Sequence, residues 1–133
     1  MFINSFSFPY EMDERIVLTG MNDQGILDLF KDICDMMGYV VVEAQTPEDL
    51  VEKARTLTHD RCFMDANYGK SCTSDIGIAV EIYHIHQERF GPDISQTLLT
   101  TTGYHEAIVA VKQAGIPLAE KPLQLEMIRE FLD

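Results

Sequence analysis

Arg61-Cys62-Phe63-Met64-Asp65 is a short apolar run that stops on a carboxylate and opens into the polar stretch Ala66-Asn67-Tyr68-Gly69-Lys70. A run of that length bounded by turn residues reads as a fully buried strand of a parallel sheet, and open α/β sheets place their sites at the carboxyl ends of such strands. Asp65 is therefore the first candidate functional residue.

Working back toward the amino terminus, Tyr39-Val40-Val41-Val42 is rich in β-branched residues and predicts a second strand. Between it and Asp65, Thr46-Pro47-Glu48-Asp49 announces a helix: Thr46 caps, Pro47 suits the first turn, and the two acids favour its positive end. Leu50, Val51 and Ala54 give that helix an apolar face. Earlier still, Ile16-Val17-Leu18 predicts the first strand, followed by a helix in which Ile26, Phe30, Ile33 and Met37 recur at helical spacing until Gly38 ends it.

Beyond Asp65, a polar loop rich in Asn, Gly and Ser leads to a helix expected from Asp75 to Phe90 and closed by Gly91-Pro92. Thr97-Leu98-Leu99-Thr100 predicts a fourth strand, Glu106 to Ala114 a helix, Leu118-Ala119-Glu120 a fifth strand, and Leu125, Ile128, Phe131 and Leu132 one face of a last helix. Five strands alternating with five helices specify an α/β fold, a five-stranded parallel sheet with helices on both faces. A single domain is expected over residues 15–133, behind a leader over residues 1–14 that is either an arm or a strap. No output domain is expected after the fifth helix.

The chain has 133 residues, enough for one core. Its 10 basic and 22 acidic residues give a net charge of −12, which argues against a direct grip on nucleic acid or on an anionic membrane. Basic protein surfaces and cations suit it better. Three cysteines, Cys34, Cys62 and Cys72, lack metal-type spacing and fit a reducing compartment, hence the cytoplasm. Neither a signal peptide nor a membrane span is evident.

Several patterns have plain readings. Gly69-Lys70-Ser71 imitates the end of a phosphate-binding loop, but the position five residues before Gly69 is Met64, inside a strand, so solvated loop is preferred. His84 and His86 point to nearly opposite sides of their helix. His84 shares a face with Glu81 and Glu88, which reads as exposed helical charge. Cys72 reads as a spectator thiol, and Cys34 and Cys62 as small core residues.

Over residues 15–132 the chain resembles the response-regulator receiver family, the CheY-like domains with a flavodoxin-like (βα)5 fold. The resemblance rests on a strand ending on Asp65, a strand ending on the hydroxyl of Thr100, and Lys121-Pro122 after the fifth strand. Met36-Met37-Gly38-Tyr39, Val42-Glu43-Ala44 and Gln113-Ala114-Gly115 add to it. It implies a signalling switch, not an enzyme. Asp65 accepts a phosphoryl group from a histidine kinase or phosphotransfer protein, Thr100 hydrogen-bonds a phosphoryl oxygen, and Lys121 pairs with the phosphate. A changed surface around the fourth helix, fifth strand and fifth helix is then read by a downstream protein, and a homodimer is compatible with such a surface. Mg²⁺ is the implied cofactor, held by Asp65, Asp23 and the backbone carbonyl of Asn67.

Three departures from the family pattern stand out. The adjacent acids expected after the first strand are replaced by Thr19-Gly20-Met21-Asn22-Asp23, where Asp23 either reaches the cation or caps the first helix. Without the cation, a phosphoryl anion meets carboxylate charge at about 4 Å, a repulsion of roughly 4 kcal/mol at an effective dielectric of 20. That is on the order of a thousandfold in rate. The segment from Asp65 to Thr100 is longer than usual, and Leu118 stands where the switch aromatic is expected, leaving Tyr104 as the substitute. Two alternatives follow: a pseudo-receiver, which keeps the fold but works by phosphorylation-independent protein interaction, and a small flavodoxin-like enzyme or nucleotide binder, for which no complete motif is present.

Overall fold

The computed structural model describes residues 14–70 and 74–133. Among these residues ten elements alternate: β1 Arg15–Gly20, α1 Gln24–Met37, β2 Tyr39–Glu43, α2 Pro47–Thr56, β3 Arg61–Asp65, α3 Gly77–Phe90, β4 Leu98–Thr102, α4 His105–Ala114, β5 Leu118–Glu120 and α5 Leu125–Leu132. The strands pair in parallel in the order β2-β1-β3-β4-β5. The α/β expectation holds. All but Glu14 of the expected leader, and Cys72, lie outside the described residues.

Strand alternation divides the core into two layers. Leu18, Cys62, Met64 and Leu98 face Leu50 and Ala54 of α2, Ala79 and Ile82 of α3, and Ala107 and Val111 of α4. Val17 and Phe63 face Phe30, Ile33 and Cys34 of α1 and Ile128, Phe131 and Leu132 of α5. Phe30 stacks on Phe63 at 4.4 Å between ring centroids. Burial pushes the Cys34 thiol up to about 12 and the Cys62 thiol higher still, so both behave as small apolar residues. Leu125, expected on the inner face of α5, is instead exposed.

The helix ends follow the sequence signals. Thr46 Oγ1 accepts from the Asp49 amide at 3.0 Å with Pro47 in the first turn, and Gly38 closes α1 in the left-handed region at φ +81°. No helix among the described residues is long and apolar enough to cross a membrane.

Because β1 lies between β2 and β3, the strand order reverses there, and the crevice that open parallel sheets use for ligands falls between the carboxyl ends of β1 and β3. Asp65 ends one of those strands. Asn22 follows the other.

Candidate functional site

Parallel pairing sets Asp65 of β3 beside Thr101 of β4, and Thr102 beside Glu120 of β5, so the next residue, Lys121, emerges at the same rim as Asp65. The Lys121 amide donates to the Thr102 carbonyl at 3.1 Å. Its ammonium lies 3.3 Å from Asp65 Oδ1. The structure thus brings together Asp65 and Lys121, the two ends of the expected charge pair, at the floor of a cleft of about 390 Å³.

Asp65 is only 2% exposed, and its other oxygen is also engaged. The backbone N–H of Asn22 donates to Asp65 Oδ2 at 2.5 Å. The Asn22 side chain is tied to the loop after β3: its Nδ2 donates to the carbonyls of Asn67, at 3.2 Å, and Lys70, at 3.1 Å, while its Oδ1 accepts from the Gly69 amide at 2.9 Å. Gly69 sits at φ +83°, and a Cβ there would come within 2.3 Å of Pro47 Cγ. Only glycine combines that backbone with that approach. Asn22 therefore staples the loop that carries Asn67 to the end of β1.

The hydroxyl expected at this rim is displaced by two residues. Thr100 is fully buried and its Oγ1 donates to the Pro117 carbonyl at 2.8 Å, away from the cleft. Thr102 lines the cleft instead, accepting the Tyr104 amide on its Oγ1 at 3.1 Å. The apolar pattern ends at Leu99, whereas β4 continues through Thr100, Thr101 and Thr102, which are β-branched and suit a strand as well as valine does. Two further residues at the usual rise move the strand end by roughly 6.6 Å.

The structural comparisons match the fold that carries these residues. No protein-family model matches the chain, and no curated protein matches it in sequence. Solved structures do. A CheY-like response-regulator receiver domain from Methanospirillum hungatei is similar at 25% identity and a TM-score of 0.61, over 90% of this chain and 94% of that one. This chain has the receiver-domain fold. A chemotaxis response regulator of Vibrio cholerae is similar at 20% identity and a TM-score of 0.63, over 90% of this chain and 96% of that one. The receiver domain of a sensor histidine kinase from Pseudomonas aeruginosa, with a magnesium ion coordinated in its active-site cleft, is similar at 15% identity and a TM-score of 0.64, over 90% of this chain and 94% of that one.

The receiver cleft of this chain does not offer a matching set of donors for Mg²⁺. Asp23 Oδ1 accepts from the Ile26 amide at 3.1 Å, so of its two sequence readings the structure shows the helix cap. The Asn67 carbonyl already accepts from Asn22 Nδ2, and Asp65 Oδ2 from the Asn22 amide. Mg²⁺ asks for near-octahedral oxygen ligands from carboxylates, carbonyls and water. Here N–H groups point at those oxygens. Among the described residues no cluster of three His, Cys, Asp or Glu side chains is arranged to hold a metal ion.

Asn22 and Thr102 are the site residues that the sequence did not single out. The signal for Asn22 was its place two residues after β1, beside the switch point; that for Thr102 was the Thr-Gly pair at the strand's exit. Tyr104 stands at the cleft with its hydroxyl on Glu106 Oε1 at 3.0 Å, and Leu118 is half-buried in β5.

Proposed function

We propose that this chain is a receiver-type signalling module that acts by phosphorylation-independent contact with other proteins, its Asp65–Lys121 pair serving as a resident structural ion pair. The observation that carries this reading is Asn22: its backbone N–H donates to Asp65, and its neutral side chain donates to the Asn67 carbonyl, the two groups expected to face a cation. A carboxylate engaged on both oxygens and almost sealed from solvent is a poor nucleophile toward an anionic phosphoryl group. Exposed apolar residues on α4 and α5, Val109, Leu125 and Met127, offer a surface for a protein partner. The net charge of −12 favours a basic partner surface. The cysteine usage supports a cytoplasmic setting.

A second reading, phosphoryl acceptance on Asp65 from a histidine kinase or phosphotransfer protein, is favoured by the meeting of Asp65, Lys121 and Thr102 at one cleft. A solved response regulator from Burkholderia pseudomallei carries a phosphorylated aspartic acid. In this chain the ammonium of Lys121 would pair with the transferred group and the Thr102 hydroxyl would donate to it.

The deciding experiment incubates the protein with a small-molecule phosphodonor, with and without Mg²⁺, and seeks a labile adduct by mass spectrometry. The first reading expects no adduct beyond that of Asp65→Asn in either condition. An adduct lost in Asp65→Asn establishes the second.

A further inference from the structure

At the amino ends of β3 and β4, opposite the cleft, two histidines meet. His59 is 4% and His86 0% exposed, and their Nε2 atoms lie 3.1 Å apart. Phe90 packs on both rings, at centroid distances of 5.6 and 4.9 Å. His86 is the one of the two α3 histidines that faces inward; His84 is exposed with Glu81 and Glu88.

The hydrogens can be placed from the partners. His59 Nδ1 is 2.7 Å from the Leu57 carbonyl oxygen, which only accepts, so Nδ1 carries the hydrogen and the neutral ring keeps its lone pair on Nε2. His86 Nε2 must then donate to it. That leaves His86 Nδ1 as an acceptor, 3.1 Å from Thr97 Oγ1. Donation runs one way, from Thr97 through His86 and His59 to Leu57, and it requires both rings to be neutral.

The surroundings hold them neutral. Burial lowers His59, and it lowers His86 to about 3, with the charges of His59 and Arg89 adding to the effect on His86. The charged groups that face the pair are Arg89 of α3, which disfavours charge on both rings, and Asp60 of the turn before β3, which favours it on His59. Asp60 Oδ2 is committed to the Ile16 amide at 2.8 Å. The same corner is clamped by Arg89 Nη1, which donates to the carbonyls of Ala54, at 2.7 Å, and Leu57, at 2.9 Å.

We propose that His59, His86 and Thr97 form an acid-released latch, which in its neutral form ties the turn after α2 to the last turn of α3 and opens when the pair takes up a proton from solvent. A proton added to His59 Nε2 would face the His86 N–H across 3.1 Å, and the Nε2–Nε2 hydrogen bond would be lost. A proton added to His86 Nδ1 would instead make Thr97 turn its hydroxyl to the Ile94 carbonyl, 3.3 Å away, leaving a buried imidazolium beside Arg89. The first route breaks the His59–His86 link; the second reverses the Thr97 link while keeping the Nε2–Nε2 bond, and what drives opening there is the imidazolium buried beside Arg89.

The sign follows from linkage. Each imidazole is charged more readily in the unfolded chain, near its ordinary value of 6.5, than in the fold. The stability the latch contributes is complete above that pH and is lost as pH falls toward about 3. Each proton taken up on opening raises the unfolding equilibrium constant by up to about tenfold per pH unit.

The test is a ¹⁵N titration of the imidazoles in the full chain. Expected are a His59 ring carrying its hydrogen on Nδ1 and a His86 ring carrying it on Nε2, both staying neutral below the ordinary histidine value of 6.5, with the amides of residues 57–60 and 86–90 shifting together when they charge. Urea unfolding of His86→Gln should show a shallower pH dependence below the ordinary histidine range than the parent, by up to about tenfold per pH unit. Rings of His59 and His86 that titrate at the ordinary value of 6.5, or equal slopes in parent and variant, would overturn the proposal. The titration of the parent decides alone where the variant fails to fold.

Discussion

At the carboxyl end of β3 a carboxylate is buried as an ion, with Lys121 on one oxygen and the Asn22 amide on the other; at its amino end two imidazoles are buried as neutral rings in a one-way chain. Burying a polar group costs free energy unless its hydrogen bonds are replaced, and burying a charge demands a counter-charge as well. The carboxyl end has room for that counter-charge because strand ends and loops converge there around a cleft. The amino end lies between α2, α3 and a closing phenylalanine ring, and neutrality is the cheaper solution. The lesson is that a single strand separates an ion pair at the floor of a cleft from a pair of neutral rings that stays silent until acid charges it.

The largest expected effect is at Gly69→Ala, where a positive φ and a contact of 2.3 Å to Pro47 Cγ coincide. A loss of about 3 kcal/mol in urea unfolding is expected, with the Asn22 staple released while the histidine pair keeps its tautomers. Lys121→Met strips Asp65 of its cation and should cost about 2 kcal/mol, less than a fully buried pair because the Lys121 side chain is 28% exposed. Stability unchanged by this variant would show that the pair is not structural.

Asn22→Asp should destabilise by about 1 to 2 kcal/mol, since a carboxylate would meet the Asn67 and Lys70 carbonyls where donors now stand. It should also gain a stabilising response to Mg²⁺ in thermal unfolding, because Asp65, the new carboxylate and the Asn67 carbonyl together resemble a cation site. The smallest effect separates two threonines. Thr102→Val and Thr100→Val should each cost about 1 kcal/mol. Only Thr102→Val should shift the amide resonances of Tyr104 and Lys121 at the cleft.

Much of the fold was legible because it rests on local signals. The run Arg61 to Asp65, the capped start at Thr46-Pro47 and the glycines that close α1 and α4 depend on neighbours in sequence, and those elements fell where the pattern placed them. The strand ends were harder. Three consecutive threonines carry no apolar alternation, so only Gly103 after them hints at which hydroxyl reaches the rim; register against β5 decides it. Asn22 was hidden for a similar reason, since its role depends on a loop 43 to 48 residues away. The histidine pair joins residues 27 apart on different elements, and only His86, through its spacing from His84, was noticed at all.

Asn22 stands where a cation would meet Asp65 and the Asn67 carbonyl, and a Mg²⁺ titration of the parent protein followed by amide resonances decides whether it excludes one. No saturable shift is expected at Asn22, Asp65 or Asn67 through millimolar Mg²⁺, while Asn22→Asp should show one. A saturable shift at those three amides in the parent protein would contradict that exclusion.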